Sequence, residues 1–142
     1  MKWVFKEPVM GDMIRVKVGA IYHYGVFVSE EEVIQFGEAP RGGIDRNEEE
    51  IEVCSTDIYS FLGGEFAEVA ELDRKERKKR LSPEETVRIA RERLGTRGYH
   101  ILYNNCEHFA HECVMGEKFS EQVDGLRLML REKFRAKSGE RK

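Results

Sequence analysis

The β-rich stretch from Met13 to Phe36, punctuated by glycine, most constrains what this chain can fold into. Within it, Met13 to Val18 (MIRVKV) and Ile21 to Val28 (IYHYGVFV) are dominated by β-branched and aromatic residues, which suit a pleated, half-buried surface. Gly11-Asp12 precedes the first run and Gly19 separates the two. The polar cluster Ser29-Glu30-Glu31-Glu32 then leads into Val33-Ile34-Gln35-Phe36, closed by Gly37 and the turn-forming Ala39-Pro40-Arg41-Gly42-Gly43. The pattern predicts antiparallel strands joined by hairpins.

Helices are signalled further along. Ser82-Pro83-Glu84-Glu85 puts a serine at the N-cap, a proline at the first helical position and a glutamate placed to complete a capping box. The helix should run to about Leu94 on an apolar stripe of Val87, Ala90 and Leu94, with Ile89 beside them, and stop at Gly95. Between sheet and helix, Ile51 to Cys54 reads as a short strand, Asp57 to Leu62 as a helical turn stopped by Gly63-Gly64, and Phe66 to Leu72 as another strand. Tyr99 to Tyr103 (YHILY) reads as a buried strand, and Asn104-Asn105 as the turn into a helix from Cys106 to about Val114, ended by Gly116. Leu126, Leu128, Met129, Leu130 and Phe134 suggest a last helix from Gln122 to about Ala136, then a frayed tail. The fold class is α+β, an antiparallel sheet packed against helices with a cysteine at one helix N-terminus. Residues 1–124 form the expected domain, and residues 125–142 a C-terminal helix and basic tail.

Composition excludes several classes. At 142 residues the chain suits one domain, and it has no apolar run near the ~20 residues that span a bilayer. Its start, MKWVFKEPVMGD, lacks a signal-peptide core, and its three cysteines cannot all pair, so a reducing cytoplasm is the expected compartment. A net charge of -3 argues against general nucleic-acid binding, which needs a clustered excess of Lys and Arg. Two local basic runs stand apart: Asp73 to Arg80 has six basic and two acidic residues, and the tail from Arg127 to Lys142 seven basic against Glu132 and Glu140. Such runs are usually a solvated face, and here they also offer weak attraction to an anionic membrane surface.

One constellation carries chemistry. With Asn105 as cap, the Cys106 thiol sits in the first turn of a helix, where partial positive charge and backbone N–H groups favour thiolate and bind an oxyanion. The competing view is an inert buried cysteine. Of four histidines, His23 is the best base, since it interrupts an apolar strand. Gly25, on the same strand face, removes a side chain and leaves room beside the imidazole. Gln35, in the facing strand, can accept from the imidazole and fix its tautomer, provided the paired positions sum to an even number, which calls for an odd-numbered loop around Glu30. Cys106, His108, His111 and Cys113 also read as C-x-H-x2-H-x-C, a zinc-compatible set. At about 100° per residue, however, the cysteines lie nearly opposite the histidines on a helix, so the expectation is no metal. Glu107, His108 and His111 then read as surface or supporting polar groups, with His108 or Glu107 also able to line a cleft.

Gly11-Asp12, His23-Tyr24-Gly25, Val33-Ile34-Gln35 and above all Asn105-Cys106-Glu107-His108-Phe109 resemble the lecithin:retinol acyltransferase-like family, over residues from about 10 to 124. The resemblance implies a circularly permuted papain-like (NlpC-type) fold in which the histidine-bearing sheet precedes the nucleophile helix. It implies Cys106 as nucleophile, His23 as base and Gln35 at the position where studied animal members usually carry a second histidine. It further implies a cysteine-dependent acyl hydrolase or acyltransferase that takes an acyl group from a phospholipid-type ester as a thioester, with no cofactor. A thiol amidase or peptidase acting on peptide or isopeptide bonds, and a non-catalytic interaction module of the same fold, are the alternatives.

Overall fold

The computed structural model describes residues 1–41, 47–100 and 105–117. Six strands form one antiparallel sheet: β1 (Lys2–Phe5), β2 (Met13–Val18), β3 (Ile21–Ser29), β4 (Glu32–Phe36), β5 (Val53–Thr56) and β6 (Glu68–Glu71), in the order β1-β6-β2-β3-β4-β5. The helices are α1 (Ile58–Leu62), α2 (Arg74–Lys79), α3 (Pro83–Glu92) and α4 (Cys106–Met115).

Alternation along the strands divides the core in two. Met13, Tyr24, Val26, Ile34, Phe36 and Val53 pack with Ala90 of α3 and Phe109, Ala110, Cys113 and Val114 of α4. On the other face Ile14, Val16, Phe27, Val33 and Val69 pack with Ile58 and Phe61 of α1. Helices thus cover both faces, and the long pair α3 and α4 lies on one of them.

The β2–β3 hairpin closes through Gly19-Ala20, with Val18 opposite Ile21 and Val16 opposite His23. The β3–β4 hairpin corrects a sequence expectation. Gly25 pairs with Gln35 and Phe27 with Val33, both even sums, yet the turn holds just Glu30 and Glu31 between the paired Ser29 and Glu32. An irregularity between Phe27 and Ser29, where Val28 is the extra residue, restores parity. A bulge does the work assigned to an odd-numbered loop.

Local chemistry explains the ends of the helices. Ser82 Oγ accepts from Glu85 N–H at 3.1 Å, but the Glu85 carboxylate pairs with Arg88 instead of returning to the cap, so the capping box is half made. Helix α3 stops at Glu92 and leaves Leu94 42% exposed, outside the stripe; Thr86, fully buried, takes a place in it. The run Asp73 to Arg80 is a helix with a complete box, Asp73 and Glu76 each accepting the other's backbone N–H. Ile51 caps a short 3-10 turn over Glu48–Glu50, which moves the expected strand to Val53–Thr56. Strand β1 was not anticipated; it adds a sheet edge by pairing Trp3 with Ala70 and Val4 with Val69. Ile101 to Tyr103 of the expected YHILY strand, the helix from Gln122 to Ala136 and the tail over residues 125–142 lie outside the described residues.

Helix α4 has a definite direction on the sheet. Near its C-terminus Val114 O accepts from Leu81 N–H at 2.8 Å, while Arg80 Nη2 donates to Gly11 O at 3.0 Å. This end of α4 therefore lies near the entry to β2. Near its N-terminus the Phe109 ring meets Phe36, the last residue of β4, at 6.2 Å between centroids. The N-terminus of α4, with Cys106, therefore lies toward the sheet end where β4 stops.

Candidate active site

The site is built from three elements. Strand β3 carries His23, buried to 2% exposure. β4 carries Gln35, equally buried, whose backbone pairs with Gly25 and whose side chain reaches diagonally to His23. The imidazole Nε2 and Gln35 Oε1 are 2.8 Å apart. The other end of that amide, Nε2, points at Cys54 Sγ at 3.7 Å, so the carbonyl end faces the ring and the imidazole Nε2–H donates. The basic lone pair of His23 is then on Nδ1.

By alternation His23 and Gln35 stand on the α1 side, where the His23 ring packs against Phe61 at 5.3 Å between centroids. The room expected beside Gly25 is taken by that same ring: a Cβ at Gly25 would lie 2.8 Å from Phe61 Cε2 and 3.0 Å from Val33 Cγ1. Gly25 admits a packing residue, and Phe61 packs against the His23 ring. Helix α1 presents Phe61 on a short, well-capped turn. Asp57 Oδ1 accepts from Ser60 N–H at 2.9 Å, Gly63 adopts the left-handed conformation at the end, and Arg41 donates to the carbonyls of Ser60 and Phe61.

Cys106, half-buried, is the first residue of α4 and packs against the opposite layer. Asn105 Oδ1 accepts from the backbone N–H of Glu107 and of His108, each at 3.0 Å, and Asn105 N–H donates to His108 Nδ1 at 3.2 Å. This is a capping box with histidine in place of the usual glutamate. Both Glu107 and His108 are buried, at 4% and 5% exposure, so of the two expected roles, surface or supporting polar group, the surface one is corrected and His108 takes the supporting one. The box also gives His108 Nδ1 to the cap. His111 is turned elsewhere, its Nδ1 lying 3.0 Å from Glu117 O. Among the described residues no three His, Cys, Asp or Glu side chains are grouped to hold a metal ion.

The structure joins His23 to Gln35 directly and brings Cys106 to the same end of the sheet from the other layer. At that end β4 finishes at Phe36, so the rung of His23 has Val16 on one side and no β4 residue on the other. The environments of Cys113 and Cys54 both disfavour thiolate. Burial pushes the Cys113 thiol up to about 12, with Glu112 adding to it. Burial also raises Cys54, reinforced by Glu38 and Glu52 and opposed by hydrogen bonds from Gln35 and Gly37. Phe61 and Cys54 escaped the sequence reading. The signal for Phe61 was its spacing of three from Ile58 between an Asp cap and a Gly stop.

The family model described as lecithin retinol acyltransferase matches residues 6–119. The mouse (Mus musculus) lecithin retinol acyltransferase is 28% identical over 134 residues, covering 82% of this chain and 58% of that protein. The rat (Rattus norvegicus) protein is 26% identical over 132 residues, covering 80% and 57%, and the human (Homo sapiens) one 40% over 67 residues, covering 47% and 29%. The chain spans a little over half the length of the mouse and rat relatives it matches.

Proposed function

This chain belongs to the lecithin retinol acyltransferase family, and from that premise we propose that it is a thiol acyl hydrolase or acyltransferase acting on phospholipid-type esters. The observation that carries the reading is the bonded pair His23 and Gln35, together with Cys106 at the capped N-terminus of α4. The family and the α+β architecture support the coarser statement, acyl transfer from lipid esters. The thioester route and the permuted papain-like (NlpC-type) topology are our reading of this arrangement.

His23 Nδ1 takes the proton from Cys106 Sγ while Gln35 accepts from Nε2 and stabilises the imidazolium. The thiolate attacks the ester carbonyl carbon, and the oxyanion is held by the backbone N–H of Cys106 at the positive end of α4. Collapse breaks the ester C–O bond; the leaving lysophospholipid oxygen takes the proton from His23, and the acyl group remains on sulfur. Water, an amine or an alcohol then gives its proton to His23 and attacks the thioester, and the thiol is regenerated. No helix among the described residues is long and apolar enough to cross a membrane. We place the encounter with lipid at a surface, by peripheral contact.

Intact mass after incubation with phosphatidylcholine vesicles tests the reading. A fatty acyl adduct is expected on the Cys106 peptide, absent in Cys106→Ala and slowed by about 10²–10⁴-fold in His23→Ala. An adduct from a peptide mixture but none from lipid would replace the ester reading with the amidase one. Adduct formation surviving in Cys106→Ala would overturn the assignment of the nucleophile.

A further inference from the structure

We propose that Cys54 is a positioning residue for the base: its sulfur takes the Gln35 side-chain N–H and so turns the amide carbonyl toward His23. The inference rests on the reading of His23 as base given above. A glutamine amide has two ends of similar shape and opposite hydrogen-bonding sense. If it rotated by half a turn, Gln35 would present N–H to the imidazole Nε2. That nitrogen would have to accept, the ring proton would move to Nδ1, and the nitrogen needed to deprotonate Cys106 would become a donor. Nothing in a His–Gln pair alone chooses between the two arrangements.

The choice lies one strand further out. β4 pairs with the edge strand β5 so that Gln35 and Cys54 are direct partners, and alternation puts both side chains on one face. Cys54 Sγ lies 3.7 Å from Gln35 Nε2, and Gln35 Oε1 lies 2.8 Å from His23 Nε2. The Gly37 N–H beside the thiol goes to Glu52 O at 2.9 Å. Glu38 and Glu52 are the charges that face it, and both oppose its ionisation. Burial and these carboxylates favour the thiol over the thiolate at Cys54, and its sulfur accepts from Gln35 Nε2. The line Cys54, Gln35, His23 crosses three neighbouring strands on one sheet face and ends at the proposed base. Phe61 closes that face over His23.

The test reads the pH dependence of Cys106 alkylation by iodoacetamide, resolved by peptide mass so that the other thiols do not contribute. Wild type is expected to alkylate with a midpoint well below that of a free thiol, and His23→Ala to lose that advantage. Cys54→Ala should move the midpoint upward and slow alkylation near neutrality by about fivefold, the size expected for one hydrogen bond. Gln35→Leu should do the same, and the double variant Cys54→Ala with Gln35→Leu should be no slower than Gln35→Leu alone, because Cys54 acts through Gln35. Cys54→Ser, which keeps an acceptor, should restore the wild-type profile. A Cys54→Ala profile equal to wild type, a serine variant that behaves like alanine, or additive single effects would each overturn the assignment. If wild type and His23→Ala coincide, the His23 reading fails as well, and that outcome is distinct from a change confined to Cys54.

Discussion

At the scale of single residues, the three cysteines differ by environment, and the difference can be measured. Cys106 stands at a helix start, whereas the Cys113 thiol is pushed up to about 12 by burial, leaving roughly one thiolate in ten thousand at pH 8. Competitive alkylation of the native chain near neutral pH should label Cys106 first, Cys54 slowly and Cys113 only on unfolding. Faster labelling of Cys113 than of Cys106 would contradict the assignment. Gly25 makes a second prediction. An alanine there must displace Phe61 or Val33, so Gly25→Ala should lower stability by about 1–3 kcal/mol in urea melts. Adding Phe61→Leu to it should cost less than the sum of the two single changes, because both act in one contact. The contact of His23 with Gln35 was legible as a condition on register, while the Val28 bulge that meets the condition was not. Phe61 was not, since nothing in the string Asp57 to Leu62 says which strand face a short helix will cover. Cys54 was not, because its role depends on the β4–β5 register, which a long and irregular connection leaves open.

At the scale of elements, caps and glycines fix where the site's parts end. Helix α4 begins at Cys106 because Asn105 Oδ1 accepts from two backbone N–H groups and Asn105 N–H donates to His108 Nδ1. Asn105→Ala should cost about 1 kcal/mol, while Asn105→Asp should cost less, as measured by chemical denaturation. Equal losses would mean that Asn105 is held by something other than its side-chain acceptor. Gly11 shows the same logic between elements. Its φ of +85° is left-handed, and a Cβ there would lie 2.6 Å from Pro83 Cα, so the start of β2 sits directly on the start of α3. The segments with clear periodicity and caps, β2, β3, α3 and α4, were legible within a residue or two at most ends. Strand β1 was not, because its four residues gain their meaning from β6, distant in sequence. The basic run from Asp73 was read as a solvated face, and it is one, yet an Asp–Glu box organises it into α2.

At the scale of the whole molecule, the sheet's direction separates two things that composition alone would merge: attraction to anionic lipid and chemistry on it. Strand β6 passes Glu68 opposite Arg15 and Val69 opposite Ile14, so it runs away from the rung where Val16 meets His23. It leads into α2, whose following residue Arg80 bonds to Gly11 at the entry to β2. The basic residues of α2 are thus at the end of the sheet remote from His23, while the N-terminus of α4, with Cys106, lies toward the near end. Charge on α2 can bias how the molecule meets a surface without touching the reacting groups. Replacing Lys75, Lys78 and Lys79 by alanine should weaken co-sedimentation with anionic vesicles at low salt, with up to about 1 kcal/mol lost per residue held at the surface. Raising salt should shrink the difference between variant and wild type, since exposed charges are screened. The same triple variant should acylate Cys106 at the wild-type rate from a short, water-soluble activated ester, which needs no membrane. A matching loss of rate with the soluble ester would place α2 at the site, against the strand order that puts it at the other end.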